Sequence, residues 1–514
     1  MARTRTSRAF AGIITSVFQY AFILVLQFLL APIVLRIAGQ EVLGGYSVLM
    51  QIISWAALTD LGFGVAIGRS LAQAFGIDDH RERFRTIFIT GRTFYIVSNL
   101  ACAGLILIMG WKLNELVGMS YGVEGEARLS LNLLAVWVAI RTPFSLYNEA
   151  LIATQNMAVV NIIAAVGAAV RLLLSLGLVM MGAGLIGLIL ANIIAEASTY
   201  IVGYGWYCKL YPGDRFGWGI PDRSLFREMF GFGITYMVMI VAGRLSASTD
   251  SIIVGHLYGA AAVSIYYTSQ MPGTILYQLI WKLTDNSAPA INELHARRAA
   301  SQLSNGYLLL LRYSLLLVIP LSIGLIGFNR YAITVWVGQA QYAGDVLTVA
   351  LAVFTFTQVV IHLNAIVLVA YGDIRIMSIF GLCGGIVKVL LAIWLARTMG
   401  LQGVMIANAI VDIPGLICFS YLVWRLLGLT PLQVGRRAFV PAMKASIFTL
   451  PVLILMLINT PTATWLSFVI WVSSFALVWA LGTGSVGLLS AERDQVRFYI
   501  KRTIVLAFGK SGAS

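Results

Sequence analysis

Thirteen ionisable side chains lie inside long apolar segments of this chain, where residue type and spacing bear directly on chemistry. A charge in hydrocarbon costs at least a few kcal/mol, so each of these side chains should face protein or water. Such residues bind ions, bind charged substrates or neutralise one another. The seven basic residues are Arg92, Arg141, Arg171, Arg244, Lys282, Arg312 and Lys388. The six acidic residues are Asp60, Glu149, Glu196, Asp250, Asp285 and Asp412.

Two predicted helical hairpins place four of these charges in pairs. Arg171 and Glu196 lie at equal depth on the two arms of the first hairpin, and Lys388 and Asp412 do so on the second. Each pair is either a buried ion pair that fixes its hairpin or a site where the acid binds a proton or cation. The candidates for ion coupling or structural pairing are Arg171, Glu196, Lys388, Asp412 and Asp285.

Other basic residues have no acid nearby on their own helix. Arginine keeps its proton in proteins, so these residues need acids on other helices or a hydrated cavity that binds an anion. Arg92 and Arg312 can also reach toward lipid phosphate at the cytoplasmic face. Lys282 has Asp285 three residues further along the same helix face as a possible partner. The candidates for a cationic, substrate-binding cavity are Arg92, Arg141, Arg244, Lys282 and Arg312.

The composition requires a membrane protein. Of the 514 residues, 59% are hydrophobic and only 11% are charged, whereas a soluble domain carries roughly 25% charged residues. A soluble globular domain is excluded, and so is a disordered chain, which needs low hydrophobicity. The net charge of +14 is compatible with nucleic acid, anionic lipid or an anionic substrate, so the position of the charges must decide between them.

The apolar segments read as fourteen membrane-spanning helices. Each has the length of about 20 residues that a spanning helix needs, far more than the roughly 10 residues of a barrel strand. The first segment is too long for a signal peptide, so we expect it to be retained. The predicted spans are 11–36, 42–68, 86–110, 128–153, 157–181, 184–208, 229–255, 260–291, 305–328, 344–371, 376–396, 401–424, 438–459 and 464–489.

The loop charges predict the orientation of these spans. On the side of the two termini we count 23 basic residues, against 5 on the opposite side. Because positive loops stay in the cytoplasm, both termini should be cytoplasmic. The loop charge therefore follows membrane sidedness, and we expect no nucleic-acid partner.

The chain also repeats itself. Gly39 and Tyr46 match Gly259 and Tyr266 at an offset of 220, and further matches recur at 216 and 217. Spans 1–6 therefore resemble spans 7–12, which predicts two six-helix repeats related by a pseudo-twofold axis along the membrane normal. The predicted segments are an N-terminal bundle (1–210), a cytoplasmic linker (211–228), a C-terminal bundle (229–430), two additional spans (431–490) and a basic cytoplasmic tail (491–514).

Catalytic and cofactor motifs are missing from the sequence. No G-x-x-x-x-G-K-[ST] run occurs, and no loop is large enough to be a catalytic or nucleotide-binding domain. The four cysteines and four histidines are scattered without metal-ligand spacing. We expect a transporter with no catalytic residue, no metal and no cofactor.

The second span and its exit resemble a known family. The chain reads Gly44-Gly45-Tyr46 and then, from Asp60 to Arg69, Asp-Leu-Gly-Phe-Gly-Val-Ala-Ile-Gly-Arg. This pattern is similar to that of the polysaccharide and O-antigen (Wzx-type) flippases. They belong to the multidrug/oligosaccharidyl-lipid/polysaccharide exporter superfamily, with the lipid II flippases and the MATE drug exporters. The residues that carry the motif are Asp60, Gly62 and Arg69.

The resemblance implies a function in the bacterial inner membrane. It implies an alternating-access flippase that moves an undecaprenyl-diphosphate-linked oligosaccharide, such as an O-antigen, lipopolysaccharide or exopolysaccharide unit, to the outer leaflet. It also implies an ion gradient as the energy source, a lateral opening for the lipid tail, and a polysaccharide polymerase and chain-length machinery as partners. A lipid II flippase carries the same diphosphate lipid and remains an alternative. A MATE-like drug exporter fits less well, because the spans hold more basic than acidic residues.

Overall fold

The fold is all-α, as the sequence predicts. The computed structural model describes residues 2–56, 58, 63–75, 80–211, 219–372, 374–459 and 463–487, and no strand occurs within these ranges. The predicted residues Asp60 and Gly62 and the predicted tail 491–514 lie outside the described residues.

The helices form two halves and a C-terminal extension. The N-terminal half comprises α1 (Ala2–Ile37), α2 (Gln40–Ala56), α3 (Phe63–Phe75), α4 (His80–Trp111), α5 (Leu113–Leu116), α6 (Tyr121–Ile140), α7 (Thr142–Ala153), α8 (Met157–Met180) and α9 (Gly184–Leu210). The C-terminal half comprises α10 (Arg223–Ala247), α11 (Asp250–Asp285), α12 (Ala288–Ala296), α13 (Ala300–Trp336), α14 (Asp345–Ala370), α15 (Ile374–Met399) and α16 (Leu401–Leu426). The extension comprises α17 (Pro431–Val434), α18 (Val440–Ile447), α19 (Leu450–Asn459) and α20 (Trp465–Gly482).

Ten helical segments in the described residues are long and apolar enough to cross a membrane. They coincide with ten of the fourteen predicted spans. An eleventh is the pair α6 and α7, which bends by 60° where Pro143 interrupts the predicted span 128–153. The predicted spans 42–68, 229–255 and 260–291 fall on α2 with α3, on α10, and on α11, and the total of fourteen stays a prediction. The protein is a multi-pass membrane protein.

Helix α10 begins earlier than hydropathy predicts. Asp222 caps the helix by accepting a hydrogen bond of 2.8 Å from the backbone N–H of Leu225. The charged first turn, with Arg223 and Arg227, hides this start from a search for apolar residues. The helix therefore begins inside the segment 211–228 that the sequence assigns to a linker.

The repeat is visible in the backbone. Gly39, between α1 and α2, has φ of +89°, and Gly259, which breaks α11, has φ of +82°. L-residues rarely adopt this conformation, so glycine is needed at both turns. The offset of 220 read from the sequence thus connects two equivalent turns in the two halves.

Helices pack closely within each half, and several helix pairs join the two halves. In the N-terminal half, α8 packs on α1 and α9, and α4 packs on α6. In the C-terminal half, α16 packs on α14 and α15, and α10 packs on α15. The halves meet most extensively where α2 lies along α11. Gly44 allows this close approach, because a Cβ atom there would lie 1.8 Å from the carbonyl oxygen of Ala260.

Candidate functional site

The interface between the halves is closed by backbone contacts at the end that carries the Gly39 and Gly259 turns. Gly118 of the N-terminal half donates to the carbonyl of Gly255 over 3.2 Å, and the N–H of Ala260 donates to the carbonyl of Gly118 over 2.9 Å. Close packing of backbone on backbone leaves no room for a ligand here. We call this end of the interface the closed end.

Side-chain hydrogen bonds continue this contact along α2 and α11. Gln51 both accepts from the backbone N–H of Ser251, over 3.0 Å, and donates to its hydroxyl, over 2.9 Å. Further along, the indole N–H of Trp55 donates to the carbonyl of Ser248 over 2.6 Å. The interface is therefore polar along a considerable length of α2, and its hydrogen bonds join particular side chains of the two halves.

Three of the basic residues predicted within spans lie at this interface. The Arg171 guanidinium on α8 lies in electrostatic range of Tyr46 on α2 and of Tyr267 on α11 of the other half. Arg244 on α10 donates a hydrogen bond to the hydroxyl of Ser54 on α2. Within the described part of the chain, Arg171 and Arg244 form no ion pair with a carboxylate.

Lys282 is the third basic residue at the interface, and its predicted pairing with Asp285 is wrong. Its ammonium lies 5.8 Å from the ring centre of Tyr20 on α1, and the described residues supply it with no ion pair. Asp285 instead lies 2.7 Å from Nε2 of His362 on α14. A partner on another helix competes successfully with the neighbour three residues away, which the helix spacing alone does not reveal.

Arg141 is paired inside the N-terminal half. Its guanidinium lies 2.7 Å from Oε1 of Glu196, which also accepts hydrogen bonds from Trp137 over 2.7 Å and from Tyr200 over 3.1 Å. The predicted pair of Arg171 with Glu196 is therefore wrong. Arg141 follows the last turn of α6, at the bend with α7. From this position its side chain, and not that of Arg171, pairs with Glu196 on α9.

Lys388 is paired with Asp250, so its predicted pairing with Asp412 is also wrong. The Lys388 ammonium lies 3.1 Å from Oδ1 of Asp250, and the two side chains are only 4% and 9% exposed. The other carboxylate oxygen of Asp250 accepts from the hydroxyl of Tyr266 over 2.9 Å and from the amide of Asn408 over 2.7 Å. These residues come from three helices, α11, α15 and α16, and pairing within a single hairpin misses them.

Asp412 is held by neutral donors. Its Oδ2 accepts from the hydroxyl of Thr357 over 3.0 Å and from the amide of Gln358 over 2.8 Å, both on α14. Hydrogen bonds of this kind hold a carboxylate in place without neutralising it. Asp412 is therefore a carboxylate whose charge is not cancelled by its direct hydrogen-bond partners.

The remaining predicted cavity residues, Arg92 and Arg312, are buried within their own halves. Arg92 on α4 lies in electrostatic range of Tyr147 on α7, and the Arg312 guanidinium on α13 lies 5.7 Å from the ring centre of Tyr313. The structure thus separates these two arginines from the three basic residues that lie at the interface.

Arg69, the described residue of the family motif, is exposed in the middle of α3. It lines a cavity of about 250 Å³ together with Ser70 and Gln73 of the same helix and Glu228 of α10. Within the described ranges, no three His, Cys, Asp or Glu side chains are grouped so that they could hold a metal ion.

An apolar cavity of about 510 Å³ opens between the halves beside Arg244. Its walls come from α2 and α4 on one side and from α10 and α11 on the other, and include Trp55, Leu105, Met237 and Ile252. Arg244 precedes the wall residue Thr249 by five positions, and its partner Ser54 precedes Trp55. The cavity wall thus includes Trp55, the chain neighbour of the residue that accepts the hydrogen bond from Arg244.

These features define a class of protein: an all-α, multi-pass membrane protein whose two halves meet over a polar interface with basic side chains. The model of the polysaccharide biosynthesis protein family matches residues 33–344, which is more than half of the chain. The chain belongs to this family.

Comparison with single proteins agrees with this assignment. The chain is 25% identical over 218 residues to the teichuronic acid biosynthesis protein TuaB of Bacillus subtilis (strain 168). This alignment covers 41% of the chain and 44% of the relative, so the chain spans less than half the length of this curated relative.

Two solved structures share the fold. The lipid II flippase MurJ in an inward closed conformation has a TM-score of 0.66 at 15% identity, covering 94% of this chain and 98% of that one. An inward-facing multidrug resistance MATE transporter of the MOP superfamily has a TM-score of 0.64 at 14% identity, covering 81% of this chain and 98% of that one. At these identities the likeness shows that the chain shares the fold of these two structures.

Proposed function

We propose that this protein is an alternating-access flippase, not an enzyme. Its cargo is an undecaprenyl-diphosphate-linked oligosaccharide, a polysaccharide repeat unit that moves from the cytoplasmic to the outer leaflet of the bacterial inner membrane. The observation that carries the proposal is the set of basic residues, Arg171, Arg244 and Lys282, that lie at the interface of the halves without a carboxylate partner among the described residues. A diphosphate is the anion that such residues bind by charge-assisted hydrogen bonds.

Both termini are cytoplasmic in this proposal, and the closed end then faces the periplasm. The Gly39 and Gly259 turns each follow one complete crossing from the cytoplasmic side, so the backbone contacts of Gly118 with Gly255 and Ala260 seal the outer side. The described state is the one that receives cargo from the cytoplasmic leaflet. Opening of this seal, with closure at the other end, releases the cargo outward.

The apolar cavity beside Arg244 provides a place for the lipid. A polyprenyl chain can stay in contact with the bilayer while its head group crosses between the halves, provided that the interface has an apolar lateral wall. The residues of α4 and α10 supply such a wall. Diphosphate and first isoprene units of the cargo thus find complementary surfaces a short distance apart.

Asp412 is our choice for the coupling residue. Its direct partners Thr357 and Gln358 are neutral, so protonation breaks no ion pair. Glu196, at the equivalent position of the N-terminal half, is neutralised by Arg141. A carboxylate that can change its charge without disrupting the fold is what coupling to a proton gradient requires.

The proposal is tested in a strain that lacks the gene. We expect lipid-linked oligosaccharide to accumulate in the cytoplasmic leaflet and surface polysaccharide to disappear, and the intact gene to restore both. Arg244→Gln should restore export poorly. Arg330→Gln, near the C-terminal end of α13, is the control, because it makes the same substitution away from the proposed site and should restore export. Normal export in the deletion strain would refute the proposal.

The same strain distinguishes the lipid II alternative. Lipid II has the same diphosphate and polyprenyl groups, so the basic residues alone do not exclude it. A lipid II flippase is needed for cell-wall synthesis. If lipid II accumulates in the deletion strain and surface polysaccharide is unchanged, the cargo is the peptidoglycan precursor and not the oligosaccharide. A polysaccharide polymerase would then be no partner.

A further inference from the structure

A histidine on α14 lies between an acidic side chain and an aromatic ring of α11. Nε2 of His362 lies 2.7 Å from Oδ1 of Asp285. The imidazole stacks on the Trp281 indole, with ring centres 4.4 Å apart and ring planes at 15°. A carboxylate and the face of an indole are two groups that attract a positively charged ring. His362 can therefore carry a proton here without becoming an unpaired charge.

The contact with Asp285 decides which nitrogen of His362 exchanges a proton. A carboxylate only accepts hydrogen bonds, so Nε2 carries the hydrogen that points toward it. Nδ1 is then the nitrogen with a lone pair when the ring is neutral. Among the described residues Nδ1 has no hydrogen-bond partner. It is the atom at which the ring can take up and release a proton.

Trp281 and Gln358 connect this histidine with Asp412. The indole N–H of Trp281 donates to the backbone carbonyl of Gln358 over 3.0 Å. The side-chain amide of Gln358 donates to Oδ2 of Asp412 over 2.8 Å. Gln358 precedes His362 by four residues, so both lie on one face of α14, about 6 Å apart along the helix axis. Asp412 and His362 are thus neighbouring proton acceptors at successive depths of the C-terminal half.

The histidine and its partner lie nearer to water than Asp412. The side chain of Asp285 is 48% exposed and that of His362 is 24% exposed, and Asp285 is the last residue of α11. A half-exposed carboxylate must face water and not hydrocarbon. In the proposed orientation α11 ends on the cytoplasmic side. His362 and Asp285 therefore lie between Asp412 and the cytoplasm.

The equivalent position of the N-terminal half holds no histidine. At the repeat offset of 217, His362 corresponds to Ser145. The same offset relates Gln358, which bonds the acid of the C-terminal half, to Arg141, which pairs with the acid of the N-terminal half. The histidine thus accompanies the acid whose direct partners are neutral. It is missing where an arginine already neutralises the acid, which needs no route for a proton.

Other charged groups on the helices around α14 have contacts of their own. Glu293 pairs with Arg297, His295 packs on Tyr371, Lys388 pairs with Asp250, Lys282 lies beside Tyr20, and Arg312 lies beside Tyr313. Asp285 is the carboxylate that contacts His362 within the described ranges. The charge of His362 is therefore set mainly by this one partner.

We propose that His362, held by Asp285 and Trp281, is the proton-exchange site between Asp412 and the cytoplasm. The inference rests on the proposed function, in which Asp412 couples transport to a proton. The O–H bond of protonated Asp412 breaks, and an N–H bond forms at Nδ1 of His362. The imidazolium then gives a proton to water on the cytoplasmic side, which leaves the ring neutral and Asp412 a carboxylate. Asp285 and Trp281 are positioning residues in this exchange.

The test follows the protonation of Asp412 after a pH jump, by time-resolved infrared spectroscopy of the purified full chain in lipid nanodiscs. The carboxyl band that disappears in Asp412→Asn belongs to Asp412. General acid–base groups accelerate proton transfer about 10²- to 10⁴-fold, so we expect His362→Gln to slow the change of this band at least about 10-fold. The final amplitude of the band should not change. His295→Gln makes the same substitution at a histidine that packs on Tyr371, and it should leave the rate unchanged.

Chemical rescue separates proton exchange from a structural role of His362. In His362→Ala, added imidazole should restore most of the rate, because it supplies the missing base. Asp285→Asn keeps the histidine without its charged partner, and it should slow the exchange less than His362→Gln does. An unchanged rate in His362→Gln would overturn the proposal. A slow rate in His362→Ala that imidazole does not raise would overturn it as well.

A binding measurement checks that His362 does not act through the cargo site. Farnesyl diphosphate, a short polyprenyl diphosphate that represents the cargo, should bind with equal affinity to the wild type and to His362→Gln. Equal binding also shows that the variant is folded. Loss of this binding would assign His362 to the cargo site and overturn its role in proton exchange.

Failure of this site can be distinguished from failure of the proposed function. If the deletion strain accumulates lipid-linked oligosaccharide but His362→Gln leaves the rate unchanged, the flippase assignment stands and the exchange site is wrong. If the deletion strain exports normally, the function is wrong, and the pH jump still decides whether His362 exchanges protons with Asp412. If no band is lost in Asp412→Asn, both the coupling residue and its exchange site are wrong.

Discussion

The buried pair of Lys388 and Asp250 permits a quantitative prediction about stability. Both side chains are almost fully buried and 3.1 Å apart. Removal of one partner of such a pair leaves an uncompensated charge and costs about 3–5 kcal/mol. Asp250→Asn should therefore destabilise the protein by about 4 kcal/mol. An asparagine oxygen can still accept from Tyr266 or Asn408, so the loss reflects mainly the charge of Lys388.

The double variant separates this charge effect from packing. Lys388→Met alone leaves the carboxylate with two hydrogen-bond donors and should cost about 3 kcal/mol, at the lower end of the same range. Asp250→Asn with Lys388→Met has no buried charge and should cost about 1–2 kcal/mol, close to the loss of one hydrogen bond. The coupling energy between the two sites is then about 5 kcal/mol, which is well above the error of additivity.

Equilibrium unfolding of the purified protein, in mixed micelles with increasing denaturing detergent, measures these free energies. Lys112→Met is the matched control, because Lys112 forms an exposed pair with Glu115 at 2.7 Å, with side chains 48% and 68% exposed. It should change the free energy of unfolding by less than about 0.5 kcal/mol. The reasoning is refuted if Asp250→Asn costs no more than Lys112→Met, or if the effects of the two single substitutions simply add.

Three further predictions concern the interface, coupling and a helix cap. Gly44→Val should weaken closure, because its Cβ would lie 1.8 Å from the Ala260 carbonyl oxygen; loss of a disulfide engineered across the closed end measures this. Asp412→Asn should abolish stimulation of transport by a pH gradient in proteoliposomes while farnesyl diphosphate binding persists, and Asp412→Glu should retain stimulation. Hydrogen bonds from the Leu225 and Ser224 groups lower the pKa of Asp222, so its cap should stabilise α10 above the ordinary carboxyl pKa. Protection of the first turn of α10 against hydrogen exchange, taken relative to the intrinsic rate at each pH, should then fall as the pH falls through this lowered pKa, but not in Asp222→Asn.

Each of these outcomes can contradict its premise. Normal disulfide formation in Gly44→Val would show that α2 and α11 have room to separate without loss of closure. Full stimulation in Asp412→Asn would move coupling to another carboxylate. An unchanged pH response of exchange in Asp222→Asn would show that the carboxylate of Asp222 does not hold the first turn of α10.

Features that depend on local sequence could be predicted, and features that depend on contacts between helices could not. The offset that connects Tyr46 with Tyr266 is a property of the sequence, and the Gly39 and Gly259 turns follow it. Hairpin geometry predicts ion pairs only between two helices that are neighbours along the chain. In the structure, Asp250 lies on another helix, α11, and forms the ion pair with Lys388 in place of Asp412. Its closer approach is set by the packing of α11 on α15, which no spacing along the chain records.

The two halves share one frame but distribute charge differently within it. In the N-terminal half the pair Arg141 and Glu196 is neutral and Arg171 is left with a positive charge, while in the C-terminal half Lys388 is neutralised and Asp412 is left with a negative one. The duplication gives each half one basic and one acidic position, 171 and 196 in the first half and 388 and 412 in the second. Single differences between the halves, such as Leu30 where the second half has Asp250, determine which of these positions stays charged. An anionic cargo and a proton then need not compete for one site. We expect Arg171→Gln to impair binding of the cargo without affecting coupling, and Asp412→Asn to do the reverse. Proton uptake and farnesyl diphosphate binding, measured on the same preparations, test this separation, and loss of both in either variant would contradict it.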